Sequence, residues 1–489
     1  MEATLNGGIT IIGLGPGDPN LITRQSWEIL RSSPEVYLRT NQHPAFDSLA
    51  SVTKLHTFDA LYVQLESYEA VYAAIVEQVL AQGRLPAGVV YAVPGDPGVG
   101  EATVAGIRER AGRAGISLKI HNGVSFLEPC LNLAGHDALD GLFIADALEV
   151  ASLYHPPFTP DRPALIGQLY SRRMAGDVKL TLMNQYPDEH PVKLIHSAGS
   201  PYAMVENLPL YEMDRSGRIS SLTALWVPRL AQACAFESFQ GTVAHLRAPE
   251  GCPWDREQTH QTLRQNLLEE TYEALQAIDS EDVKALREEL GDLLLQIVLH
   301  AQIATEDGDF RMGEVISGIQ RKIVDRHPHV FGDVHVQDAD EVIRNWERIK
   351  AAEREQEGTE AGVLSGVPSS LPALAQAHEI QRRAARYGLD WQSIEGVMAK
   401  LQEELEEVRE AGNPERRSEE IGDLLFSVVN YARWLQVDAE SALRQASSRF
   451  RARFARMERE ARSSGRRLED MDPGTLDALW EAGKGAGEG

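Results

Sequence analysis

Cysteine is scarce in this chain: three among 489 residues, Cys130, Cys234 and Cys252, widely separated. That excludes a disulfide-stapled fold and a cysteine-built zinc site. Long apolar runs are missing too, and none approaches the roughly 20 residues needed to span a bilayer. The start, MEATLNGG, has neither the basic segment nor the apolar core of a secretory signal. These absences predict a cytoplasmic protein with no membrane partner. Positive charge is also in deficit, with 48 Lys and Arg against 73 Asp and Glu and a formal charge of −25. Such a surface does not neutralise phosphates broadly, so stable nucleic-acid binding is not expected. A site that meets phosphates through Mg²⁺ remains compatible with it.

What is present changes character near residue 230. The first part is rich in Gly, Pro and short β-branched runs. Ile9–Leu14, Val89–Val93 and Leu118–His121 read as buried strands, each beside a Gly or Pro turn. Arg24–Arg31, Tyr68–Ala81 and Glu101–Ala114 carry helical periodicity between them. Alternation of this kind predicts an α/β layer with a largely parallel sheet.

Beyond Arg229 strand signals fade. Leu263–Ile278, Val283–Ile303, Met312–Asp325, Ala339–Gln356, Gly396–Ala411, Arg417–Leu435 and Ala439–Ser463 all fit a period of 3.6. Ile421, Leu424, Leu425, Val428 and Val429 form one apolar stripe, expected to be buried. The polar stretch Gly358–Pro368 reads as a linker. The reading is multidomain: an α/β domain over 1–228, then all-α units over 229–357 and 358–489.

The helical part repeats an acidic pattern. Glu269, Glu270 and Glu273 (EExxE) precede Glu289 and Asp292 (ExxD) after fifteen residues; Glu403, Glu404 and Glu407 precede Glu420 and Asp423 after twelve. Downstream of the first copy come Lys322, Arg326, Trp346 and Lys350. Downstream of the second come Arg449, Arg453, Trp480 and Lys484. The shared order is an internal duplication. On a helix, residues three apart share a face, about 4.5 Å apart along the axis. If consecutive helices pack antiparallel, Glu404, Glu407, Glu420 and Asp423 converge. Like charges at that range raise one another's pKa unless a cation joins them, and Mg²⁺ prefers such oxygen ligands. A lone EExxE is usually a solvated helix face; two copies, each with a second acid pair and a base set, argue for a site. The bases suit phosphate oxygens, and each Trp offers a face for a nucleobase.

The segments GCPWDREQTHQTLRQNLLEETYEAL, EELGDLLLQIVLHAQIA, RKIVDRHPHVFGD, NWERIKAAE and VPSSLPALAQAHEIQRRAARYGLDW, with the second acidic copy, resemble the MazG family of nucleoside triphosphate pyrophosphohydrolases. The likeness spans about Thr242 to Lys484. It implies an all-α fold, usually dimeric, and Mg²⁺-dependent hydrolysis of NTPs or dNTPs to monophosphate and pyrophosphate. By the same resemblance Glu404, Glu407, Glu420 and Asp423 are metal ligands, and Glu403 orients or deprotonates the water that attacks the α-phosphorus. Arg449, Arg453, Trp480 and Lys484 hold the nucleotide. The first copy supplies the equivalent set: Glu270, Glu273, Glu289 and Asp292 for metal, Glu269 for the water, and Lys322, Arg326, Trp346 and Lys350 for nucleotide. Asn430, seven residues beyond Asp423, faces the same way and is able to read a sugar or base; its counterpart beyond Asp292 is Leu299. The second copy is therefore expected to be the catalyst. His327 and His329, without further His or Cys nearby, suit a structural or phosphate-side role better than zinc.

In the amino-terminal part, GLGPGDP, YAVPGDPGVGEATV and NGVSFLEP resemble the tetrapyrrole (corrin and porphyrin) methylases over about residues 8 to 228. Leu165–Val192 is similar to the subgroup fused to MazG. The family uses S-adenosylmethionine, which implies cofactor roles for Gly13, Gly15, Gly17, Pro94, Gly95, Asp96, Val124, Ser125 and Met174. The spacing GxGxGD is not that of a dinucleotide fold, and Asp18 would repel a pyrophosphate. The leading expectation is a pyrophosphohydrolase with a methylase-like partner domain, serving nucleotide-pool sanitation. The alternatives are a methyltransferase whose helical half is regulatory, and a nucleotide sensor that binds without turnover.

Overall fold

A computed structural model describes residues 7–356, 364 and 366–484. Most of the expected linker, the extreme amino terminus and the Lys484 side chain lie outside the described residues. The chain divides into two compact parts, Met1–Thr242 and Val243–Gly489.

The amino-terminal part holds two sheets. The first comprises β1 (Ile9–Gly13), β2 (Glu35–Leu38), β3 (Lys54–Thr57), β4 (Val89–Val93) and β5 (Leu118–His121), in the order β3-β2-β4-β1-β5 and parallel throughout. β1 and β4 are central and covered on both faces, which is why they read as unbroken apolar runs. Helices α1 (Tyr68–Gly83) and α2 (Ala102–Arg113) close one face, packing Ile75, Val79 and Ile107 with Ile9, Val89 and Tyr91.

The second sheet comprises β6 (Phe143–Asp146), β7 (Ala164–Gly167), β8 (Pro191–His196), β9 (Met204–Pro209) and β10 (Thr223–Val227), in the order β6-β7-β10-β8-β9. Only β6 and β7 run parallel; the other pairs are antiparallel. The expected parallel character therefore holds for the first sheet alone. Residues 197–203 between β8 and β9 are too few for a crossover, so those strands fold back as a hairpin. Helix α3 (Arg172–Leu182) buries Met174, Ala175, Val178 and Leu182 in this sheet's core.

The second part is helical, as the periodicity predicted. Its elements are α4 (Arg264–Asp279), α5 (Val283–Asp307), α6 (Met312–Arg326), α7 (Ala339–Gln356), α8 (Ala373–Arg386), α9 (Ile394–Glu410), α10 (Pro414–Trp434), α11 (Ala439–Ser463) and α12 (Pro473–Lys484). Each acidic copy occupies a tight helical hairpin, α4–α5 or α9–α10. In the first, Glu281 takes a left-handed φ of 55° and Asp282 caps α5 through the amides of Lys284 and Ala285. In the second, Asn413 caps α10 and Pro414 opens it, where a missing N–H costs nothing. An ion pair between Arg444 Nε and Asp279, 3.0 Å apart, ties α11 of the second copy to the end of α4.

One expectation is corrected. Of the stripe on α10, Val429 is fully buried and Leu424 half-buried, whereas Ile421, Leu425 and Val428 are exposed, Leu425 by 51%. The helices around α10 cover too narrow an arc to enclose the whole stripe.

Between β1 and β4 the chain is crowded enough to dictate residue type. A Cβ on Gly13 would lie 2.5 Å from the Gly95 carbonyl oxygen and 2.7 Å from Gly123 Cα. Gly13→Ala is expected to destabilise the amino-terminal part by about 2 kcal/mol, as overpacking does, read from denaturant unfolding. A loss under a few tenths would show that the strand ends shift freely.

Candidate active site

Helix α9 sets Glu404 and Glu407 one turn apart, and α10 brings Glu420 against them. One carboxylate oxygen from each lies within 4.8 Å of the others. Glu404 is 4% exposed. Its Oε1 accepts from Lys400 Nζ at 2.8 Å, while its Oε2 is buried with no hydrogen-bond partner. Lys400 also reaches Glu403 at 2.9 Å, and Arg416 Nε lies 3.4 Å from Glu420. Asp423 sits one turn beyond Glu420, exposed and outside the converging group. The Glu407 carboxyl is pushed above its ordinary range, first by burial and then by the negative charge of Glu420.

The α4–α5 hairpin repeats this arrangement. Glu270, Glu273 and Glu289 converge within the same 4.8 Å. Glu270 is pushed up by burial, then by Asp292, Glu273, Glu289 and Glu269 in that order. Glu289 is pushed up by burial and then by Glu273. Asp292 is thus close enough to weigh on Glu270, though it is not in the tight group. Glu269 accepts from Gln265 Nε2 at 2.9 Å. Three converging carboxylates in each group, with a buried oxygen lacking any donor in the second, fit a hard, oxygen-seeking divalent cation. No nitrogen or sulfur ligand belongs to either group.

The base sets form a second repeated geometry. The Arg326 guanidinium lies 5.9 Å from the Trp346 ring centre, and Lys350 Nζ lies 3.9 Å from it. Arg453 stands 5.8 Å from the Trp480 ring, which also packs on Phe450. Arg326 is ion-paired with Glu353 at 2.6 Å. Lys322 and Arg449 are exposed. Asn430 is half-buried, and its carbonyl oxygen accepts from Arg433, which also pairs with Asp390; Leu299 is buried. His327 bonds the Ile323 carbonyl, a local helix-end role. Lys400 and Arg416 were missed in the sequence, although each stands four residues ahead of a cluster glutamate, the ordinary helical ion-pair signal.

In the amino-terminal part, the loops after β1 and β4 clasp each other. Gly15 N–H donates to the Gly95 carbonyl at 3.2 Å and Gly95 N–H to that of Gly15 at 2.8 Å, both residues at positive φ. Asp96 accepts from the Gly98 and Gly123 amides at 2.7 and 2.8 Å, so its carboxylate fastens the loop after β4 to the loop after β5. A cavity of about 1030 Å³ opens beside them, lined by Gly15, Pro94 and Gly95 at one end and by Arg39, Tyr72 and Tyr170 among others. Gly13 backs the loops, Gly17 packs on Pro44 and Ser200, and Val124 is half-buried. Ser125 donates to Glu128, and Met174 belongs to the core beneath the second sheet. None of these five lines the cavity.

The raised carboxyls give a pH signature. A carboxyl whose folded pKa exceeds its unfolded one adds stability at acid pH and loses it as pH rises through the folded value. Glu270→Gln should therefore raise the thermal midpoint of the metal-free protein at pH 7 and lose that advantage below the ordinary glutamate value of 4.5. Melting curves in chelator at both pH values check this; an unchanged midpoint at pH 7 contradicts it.

The MazG nucleotide pyrophosphohydrolase domain model matches residues 258–331 and 392–456, which contain both acidic hairpins. The tetrapyrrole (corrin/porphyrin) methylase model matches residues 8–214. The chain is 39% identical over 487 residues to the uncharacterized protein YabN of Bacillus subtilis, covering 98% of each chain. It is 45% identical over 253 residues to the nucleoside triphosphate pyrophosphohydrolase/pyrophosphatase MazG of Thermotoga maritima, covering 52% of this chain and 97% of the other. With the Escherichia coli K12 nucleoside triphosphate pyrophosphohydrolase it shares 44% identity over 242 residues, 48% of this chain and 92% of that one. A duplicated acidic hairpin inside the matched segments, behind a methylase-type α/β part, places the chain in the MazG nucleotide pyrophosphohydrolase family, with a tetrapyrrole methylase domain joined ahead of it.

Proposed function

We propose that the chain is a Mg²⁺-dependent nucleoside triphosphate pyrophosphohydrolase, converting NTP or dNTP and water to the monophosphate and pyrophosphate, in nucleotide-pool housecleaning. The observation that carries this is Glu404: a carboxylate 4% exposed, with one oxygen unpartnered, among two further glutamates. Burying such a group is costly unless a cation completes it. Glu404, Glu407, Glu420 and Asp423 would hold Mg²⁺, which supplies Lewis acidity toward phosphate oxygens and water when bound. Glu403 is exposed beside this group, where it accepts the proton of the attacking water as the bond to the α-phosphorus forms. The bond to the pyrophosphate oxygen then breaks. Arg449, Arg453 and Lys484 neutralise the leaving phosphates, and Trp480 stacks on the base. The Asn430 amide NH₂ donates to sugar or base while Arg433 holds its oxygen.

We assign catalysis to the second copy, within 358–489, and a weaker or differently specific site to the first, within 229–357. Glu270, Glu273, Glu289 and Asp292 would hold its cation, with Glu269, Lys322, Arg326, Trp346 and Lys350 around the nucleotide. Exposed apolar residues on α6 (Ile316, Ile319, Ile323) and α10 (Ile421, Leu425, Val428) support a homodimer through the helices. The cavity beside the Gly15 and Gly95 loops supports binding of S-adenosylmethionine in the amino-terminal part. A cytoplasmic location suits both substrates.

Pyrophosphate release from a panel of NTPs with Mg²⁺ tests the reaction; no release from any nucleotide rejects it. Glu404→Gln is expected to lower turnover at least about a hundredfold, and Glu270→Gln to leave most of it. Full activity in Glu404→Gln would reassign the catalyst. Calorimetry with S-adenosylmethionine tests the methylase-type half, and absence of heat at millimolar ligand would remove it from the proposal.

A further inference from the structure

The two hairpins carry matching carboxylates in different electrostatic company. In the second, Lys400 Nζ sits 2.8 Å from Glu404 and 2.9 Å from Glu403, and Arg416 sits 3.4 Å from Glu420. Each cation stands four residues ahead of a cluster glutamate, Lys400 before Glu404 and Arg416 before Glu420. The equivalent positions of the first hairpin, four ahead of Glu270 and Glu289, are Asn266 and Ala285. Among the described residues, no Lys or Arg makes an ion pair with Glu269, Glu270, Glu273, Glu289 or Asp292. Lys400 is partly withdrawn from solvent, its side chain 33% exposed, so its contacts are less screened than those of a free surface pair.

Resting on the reading that both groups hold a divalent cation, we propose that Lys400 is a resident counter-ion of the second group, in place while the metal is absent and displaced when it binds. The first group has no such ion and is the tighter divalent-cation site of the chain. The ammonium and a metal ion compete for the single negative charge of Glu404: Lys400 holds Oε1, and a cation arriving at the unpartnered Oε2 meets that ammonium across the same carboxylate. Metal entry therefore breaks the Lys400 contacts to Glu404 and Glu403, and the displaced ammonium needs another anion. A triphosphate supplies one. Nucleotide and metal thus load the second site together, whereas the first fills with metal alone. Release of Lys400 also frees the Glu403 carboxylate from its ion pair. Lys400 is in this sense a positioning residue that couples substrate arrival to release of Glu403.

The test is Mn²⁺ binding to the full metal-free chain, followed by loss of the free-ion paramagnetic resonance signal. Two classes of site per chain are expected, the tighter removed by Glu270→Gln and the weaker by Glu404→Gln. Lys400→Met should tighten the weaker class about tenfold, the order of two lost ion-pair contacts. Asn266→Lys should weaken the tighter class comparably. A non-hydrolysable triphosphate should tighten the weaker class in the wild type and much less in Lys400→Met. Circular dichroism confirms that each variant is folded, and the gain in Lys400→Met cannot arise from unfolding. The inference is overturned if Glu404→Gln removes the tighter class, or if Lys400→Met and Asn266→Lys both leave the isotherm unchanged. If neither group binds Mn²⁺ even with nucleotide, the metal reading falls, and this inference with it.

Discussion

Mutual repulsion among carboxylates is the constraint around which the helical part is built. Each acidic hairpin brings one carboxylate oxygen from each of three glutamates within 4.8 Å, where like charges repel. Raised carboxyl pKa values in both groups record the cost, with burial leading and neighbouring charge following. The rest of each hairpin answers that cost. Side-chain caps at Asp282 and Asn413 hold the turns short enough to keep the helices opposed. In the second copy Lys400 and Arg416 supply part of the missing positive charge.

The amino-terminal part meets a different constraint, crowding rather than charge. Three loops meet at the ends of β1, β4 and β5, and glycine is required where backbone approaches backbone. Asp96 spends both carboxylate oxygens on amides of those loops, so its contribution to any cofactor is to hold their shape. Nearby, Arg39 and Glu101 form a largely buried ion pair at 2.5 Å, with Tyr62 accepting from Nε and Tyr72 from Nη2. Glu101 therefore already matches the charge that Arg39 brings to the cavity it lines.

Much of this was legible from the chain. Helices with strong 3.6-residue periodicity came out close to their actual bounds, and β1, β4 and β5 stood out as apolar runs because both of their faces are covered. The acidic groups were readable since i,i+3 spacing on paired helices needs only helix geometry. Three things escaped. The second sheet's edge strands, Phe143–Asp146 and Met204–Pro209, are mostly half-buried, so their pattern is weak. The α10 stripe reads as buried, but periodicity marks an apolar face and cannot say what covers it. Met174 matched a motif and proved to be core, because adjacency in sequence does not state which side of a helix meets the cavity.

By itself the sequence determined the duplication, the helical period, the pairing of acids with downstream Arg and Trp, and the glycines at the strand ends. These depend on residue type and local spacing, which backbone geometry turns directly into direction. Tertiary structure alone decided that Asp423 stands outside the tight group while Glu404 is sealed with one oxygen unpartnered. It also decided which carboxylates Lys400 and Arg416 neutralise, and that Asn430 is already held by Arg433. The reason is that burial and charge pairing are set by elements packing across the fold, and no local pattern carries that distance.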